Sequence, residues 1–176
     1  MRPEVIAVAG LALLCLASGG CATSRSGSGT AVLPLAPQSS ALFQCGPTTL
    51  AAVLAFHGAA VPEETISQAI YSPTARGVLL TDLAWYARGQ GFQTAVRTGT
   101  LADLREAVHG SQPPIVLLDL GVGGIRLPHF TAIIGWSDEG VHYQGTNPAG
   151  TFVSKKLFIR QWERAGNQYL LVTASP

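Results

Sequence analysis

The chain has 176 residues, of which 47% are apolar and 12% charged, a composition that supports one buried core and excludes intrinsic disorder. Lys and Arg number 11 against 10 Asp and Glu, leaving +1. The longest basic run is Lys155-Lys156, so the charge needed to neutralise a phosphate backbone is missing and nucleic acid is not an expected partner. The longest apolar stretch, Val5 to Ala17, falls short of the roughly 20 residues of a spanning helix, and no transmembrane helix is predicted.

Residues 1–20 have the three parts of an export signal: a free amine with Arg2, the apolar run, and Ser18-Gly19-Gly20 before Cys21. The small residues leading into a cysteine, followed by Ala-Thr-Ser, resemble a lipoprotein signal, in which Cys21 becomes the lipidated N-terminus. Ser18 stands where that pattern usually has Leu. Ala22 after the cysteine implies an outer-membrane lipoprotein facing the periplasm, so the expected membrane contact is a lipid anchor. Residues 21–32, rich in Ser, Gly, Thr and Ala, read as a flexible tether. The domain is expected over 33–176. Cys15 leaves with the signal and Cys21 carries lipid, so the domain keeps Cys45 as a lone thiol, either buried and inert or used for its reactivity.

In chain order, a helix is predicted from Cys45 to Gly58, with Leu50, Val53, Leu54 and His57 on one face, Pro47 in the first turn and Gly58 as the stop. Further helices are predicted over 62–71 (Ile66, Ala69 and Ile70 inward), 81–89 (Leu83, Ala84 and Ala87 inward) and 101–109, where Thr100 and Asp103 form a capping-box-like pair. Strands are predicted over 92–97, 115–120, 130–136, 141–144, 151–154 and 169–173. Helices cluster first and strands last, which argues for an α+β domain with a helical lobe packed on an antiparallel sheet. Gly121-Val122-Gly123-Gly124 leads into Ile-Arg-Leu-Pro rather than a helix, so it is not a phosphate loop.

Cys45 falls at the start of the first helix, where unpaired amides and the helix dipole favour the thiolate. A thiolate nucleophile needs a base and a group that orients the base. His57 and His109 lie at predicted helix ends, where a structural role suffices, and His142 sits in a short strand. His129 differs: it follows Pro128 at the mouth of the apolar strand Phe130–Trp136, the place for a catalytic base or for a satisfied core histidine. Asn147, in Gly145-Thr146-Asn147-Pro148, is the candidate orienting amide, although Asn-Pro is also ordinary turn chemistry. Asp119, at a strand end, is the carboxylate alternative. Gln38 and Gln44 are candidates to complete an oxyanion hole begun by the helix-start amides. One thiol and four scattered histidines have no ligand-pair spacing, so no metal or cofactor is expected.

Together, Gln38, Gln44-Cys45-Gly46-Pro47-Thr48-Thr49-Leu50, Pro128-His129-Phe130-Thr131-Ala132-Ile133-Ile134-Gly135 and Thr146-Asn147-Pro148 resemble the bacteriocin-processing, double-glycine-leader peptidase family of papain-like cysteine peptidases, in particular its lipoprotein members. The resemblance runs from about Leu33 to Val172. It implies a papain-like fold, a peptide or protein substrate, Cys45 as nucleophile, His129 as general base, Asn147 where the family more often has Asp, and Gln38 ahead of Gln44 as the oxyanion glutamine. Double-glycine specificity is not implied, because an exported lipoprotein meets different peptides. The alternatives on the same scaffold are an acyl- or peptidyl-transferase and a non-catalytic peptide-binding lipoprotein of the envelope.

Overall fold

The computed structural model describes residues 32–38 and 44–175. The expected signal, the lipidation site at Cys21 and all of the expected tether but Val32 lie outside the described residues. The elements run α1 (Cys45–Phe56), α2 (Glu63–Ile70), α3 (Leu80–Gly89), β1 (Gln93–Thr98), α4 (Leu101–His109), β2 (Ile115–Asp119), β3 (Pro128–Trp136), β4 (Gly140–Tyr143), β5 (Thr151–Ser154), α5 (Lys155–Arg164) and β6 (Gln168–Thr173). The strands form one sheet in the order β1-β6-β2-β3-β4-β5, antiparallel at every pair. This is the α+β, papain-like arrangement of helices and antiparallel sheet that the sequence led us to expect.

Local chemistry explains the boundaries. α4 starts where predicted because Thr100 Oγ1 accepts from the Asp103 amide and Asp103 Oδ2 accepts from the Thr100 amide at 2.6 Å, a reciprocal cap. α1 stops at Gly58, whose φ of +92° suits glycine alone. Leu50, Val53 and Leu54 are fully buried as expected, while His57 is half-buried. Ala69, expected inward, is exposed: α2 is short and only Ile66 reaches the core, with Ile70 half-buried.

Two features depart from the sequence reading. α5 was not anticipated. Its five charged residues hide the pair Phe158 and Trp162, four apart and buried, on which the helix docks. The helices also cover both faces of the sheet instead of forming one lobe. Ile115, Phe130, Ala132, Ile134, Leu170 and Val172 face α1, α2 and α3, whereas Val116, Leu118, Ile133 and Tyr169 face α4 and α5. Strands buried on both sides read as unbroken apolar runs, which accounts for Ile115–Leu118 and Phe130–Ile134.

Candidate active site

The site forms where β4 leaves β3. β4 pairs with β3 from Ile133 to Trp136, and the Gln144 amide makes a last bond to the Ala132 carbonyl at 2.8 Å. Nearer the start of β3 that side has no strand neighbour among the described residues, and the N-terminus of α1 fills the gap. The Phe130 amide, which a further strand would have bonded, donates to Cys45 Sγ at 3.5 Å. The Phe130 carbonyl accepts from Gln38 Nε2 at 2.7 Å and from Thr49 Oγ1 at 3.3 Å. Buried backbone groups must find partners, so the open stretch of β3 and the start of α1 satisfy one another and set the thiol beside the strand.

That sulfur stands at the start of a helix. Cys45 is the first residue of α1, no acidic residue lies in the first turn, and the thiol is free and half-buried. Pro47 has no N–H and the Thr48 amide bonds the Gln44 carbonyl at 3.0 Å, so the amides of Cys45 and Gly46 are the donors without a helical carbonyl. Amides left without a helical carbonyl beside a thiol are the kind of donor an oxyanion hole uses.

His129 immediately precedes Phe130, the strand residue whose amide meets the sulfur. Burial pushes His129 below the ordinary histidine value, leaving it neutral, and able to accept a proton, at neutral pH. α1 and β3 thus set the Cys45 thiol against the backbone of the residue that follows His129.

The remaining predicted residues fare differently. Gln38 is buried beside Cys45, with both amide hydrogens engaged: Nε2 lies 2.8 Å from Thr49 Oγ1 and 2.7 Å from the Phe130 carbonyl, with the Cys45 carbonyl at 3.4 Å. Gln44 is the half-buried residue that caps α1, and no side-chain cap bond is made there. Asn147 is exposed on the loop after β4. Its Oδ1 accepts from the Ala149 amide at 2.9 Å, closing a turn, and among the described residues no hydrogen bond links it to His129. Asp119 is buried, but its carboxylate serves the loop that follows it. Oδ1 accepts from the Gly121 and Leu127 amides, each at 3.0 Å, and Arg164 stands 3.1 Å from Oδ2. Those two amides, ahead of the arginine, hold the Asp119 carboxyl below the usual carboxylate range. His57 caps the C-terminal end of α1, His109 ends α4 and His142 lies on β4.

Thr49 and Arg164 were not singled out from sequence. Thr49 sits one turn past Cys45 at i+4, a spacing that could have flagged it; Arg164 belongs to the unanticipated α5. A surface groove of about 390 Å³ runs along α1 between Thr48, Ala52, Ala55, Pro37 and Glu63, and contains neither Cys45 nor His129. The case for the site therefore rests on the thiol, strand and imidazole rather than on a cavity.

No family profile and no curated protein matches the sequence. Solved structures do match in fold. A protein from Bacillus anthracis described as a C39-like peptidase superposes with a TM-score of 0.70 at 16% identity, over 83% of this chain and 98% of that one. The peptidase domain of Streptococcus ComA, a bifunctional ABC transporter involved in quorum sensing, gives 0.65 at 21% identity, over 81% and 99%. A double glycine motif protease from an AMS/PCAT transporter, in complex with its leader peptide, gives 0.64 at 20% identity, over 85% and 96%. At these identities the likeness establishes the fold.

Proposed function

We propose that this chain is a papain-like cysteine peptidase of the bacterial envelope. In this reading neutral His129 takes the Cys45 proton, the thiolate attacks the carbonyl of a peptide bond, and the amides of Cys45 and Gly46 receive the oxyanion. His129 then protonates the leaving amine, and water releases the acyl-enzyme. Gln38 adds a donor to the hole when an amide hydrogen turns from Thr49, and Asn147 orients His129 when its amide leaves the Ala149 turn. The observation that carries the reading is the Phe130 amide on Cys45 Sγ, one residue from His129, at a helix start free of acidic residues. The fold shared with peptidase domains, one of them solved with a peptide, supports a peptide substrate. The lipoprotein-like signal supports anchoring through Cys21 at the periplasmic face of the outer membrane.

The test is the rate of Cys45 alkylation by iodoacetamide across pH. A thiol whose proton His129 accepts reacts near pH 7 at least about tenfold faster than an unstructured cysteine peptide, and His129→Ala removes the advantage. Equal rates for protein and peptide would overturn the assignment. For the anchor, metabolic labelling with fatty acid should mark the wild type, and Cys21→Ser should abolish the label.

A further inference from the structure

The loop between β2 and β3, residues 120–127, exposes three aliphatic side chains: Val122 at 76%, Ile125 at 72% and Leu127 at 55%. Single exposed aliphatics are ordinary, but three within six residues form a patch of the kind that marks interaction sites. The loop is also held firmly. Leu120 N donates to the Leu127 carbonyl at 2.9 Å and Ile125 N to the Val122 carbonyl at 3.1 Å. Asp119 fastens the Gly121 and Leu127 amides, and Arg164, 3.1 Å from that carboxylate, also donates to the Gly121 carbonyl at 2.7 Å. A Cβ on Gly121 would lie 1.9 Å from the Ile125 carbonyl oxygen, so the chain closes on itself only with glycine there. The construction holds aliphatic side chains out in water instead of folding them inward.

Its place in the fold indicates what they meet. Leu127 and His129 are i and i+2 along one extended stretch, so their side chains share a face about 7 Å apart. An imidazole that protonates the leaving nitrogen borders the part of the peptide beyond the scissile bond. We propose that Val122, Ile125 and Leu127 form an apolar subsite for the residue on the amine side of that bond, so that the enzyme takes peptides with an aliphatic side chain immediately after the cut. This rests on the Cys45–His129 reading above.

Acyl transfer to added amines reads that side of the site directly. The p-nitrophenyl ester of N-acetylglycine acylates Cys45 and releases nitrophenolate. An amine then attacks the thioester carbonyl, the C–N bond forms, the C–S bond breaks, and the amine proton passes to His129 as the thiolate leaves. With leucinamide and serinamide at equal concentration, wild type should form at least about tenfold more leucinamide adduct, the discrimination an aliphatic pocket supplies. The double substitution Val122→Ser, Ile125→Ser, on two exposed positions, should bring the ratio within about twofold, with both adducts still formed. Ile125→Asp should do the same.

No preference in wild type, or a preference that survives these substitutions, would overturn the proposal with the catalytic reading intact. Nitrophenolate release that is undiminished in Cys45→Ala would overturn both. An unchanged ratio accompanied by lost sedimentation with phosphatidylethanolamine and phosphatidylglycerol vesicles, or by a lost dimer, would give the patch to lipid or to a second copy and refute the subsite.

Discussion

Gly46→Ala separates helix propensity from packing at the point where the site is built. In a helix interior the change is favourable by about 1 kcal/mol, and by less in the first turn. The structure opposes it. A Cβ on Gly46 would sit 2.4 Å from Val78 Cγ2, 3.3 Å from Phe130 Cδ2 and 3.6 Å from Leu83 Cδ2. Normal carbon contacts are about 3.5–4.0 Å, so Val78 or the start of α1 must retreat by roughly 1 Å. Val78 has few rotamers to retreat into, and Phe130 is packed in the core. Overpacking of this kind costs about 1–3 kcal/mol, which exceeds the propensity gain and predicts a net loss of about 1–2 kcal/mol. The same displacement moves Cys45 away from the Phe130 amide, and a misplacement of about 1 Å lowers rates on the order of 100-fold. Urea unfolding and the iodoacetamide rate measure the two effects, and adding Val78→Ala should recover both. A Gly46→Ala protein as stable and as reactive as wild type would refute the claim that this contact places the thiol.

Two further expectations concern the imidazole. Asn147→Ala should lower turnover by about 10- to 100-fold and Asn147→Asp should preserve it; an Asn147→Ala enzyme of full activity would reduce Asn147 to the turn it closes with Ala149. Burial holds both His57 and His129 below the ordinary histidine value, so the unfolded chain binds protons that the folded chain does not. Their contribution to stability is complete above about pH 6.5 and is lost as pH falls toward the lower folded values. Asp119, also depressed, adds a separate loss below about pH 4. Urea midpoints measured at a series of pH values should show both steps, His57→Phe should shrink the first, and a midpoint flat from pH 7 to 5 would contradict the burial argument.

What could be read from the sequence was local. α4 was placed to the residue because a cap and an apolar spacing lie within ten positions. Cys45 and His129 stand out in the sequence because each lies at the mouth of an apolar element, a property of immediate neighbours. α5 was missed because its charges outnumber the two aromatic residues that dock it, and with it went Arg164, which reaches Asp119 across 45 positions of sequence. Asp119 and Asn147 were both weighed as partners for the imidazole. The side chain of each instead bonds backbone amides of its own loop, contacts that compete with any function proposed for them and that composition does not reveal.

The contact that defines the site was illegible for a different reason. That the Phe130 amide meets a sulfur follows from β4 departing after Tyr143, which is a fact about sheet topology. Once the ladder stops, the exposed N–H and C=O of Phe130 must be satisfied or lose hydrogen bonds in a buried place. Gln38 and Thr49 meet the carbonyl and Cys45 meets the amide, so the bonds that close the sheet's open stretch also seat the helix start against it. Placement of the thiol and integrity of the fold are therefore coupled through one residue's backbone. It follows that, proline apart, no substitution at Phe130 removes the amide bond to sulfur directly, and that changes which disturb the site without unfolding the domain must act on what surrounds it: Gly46 in the first turn of the helix, Thr49 at the carbonyl, and the clamped loop that leads into His129.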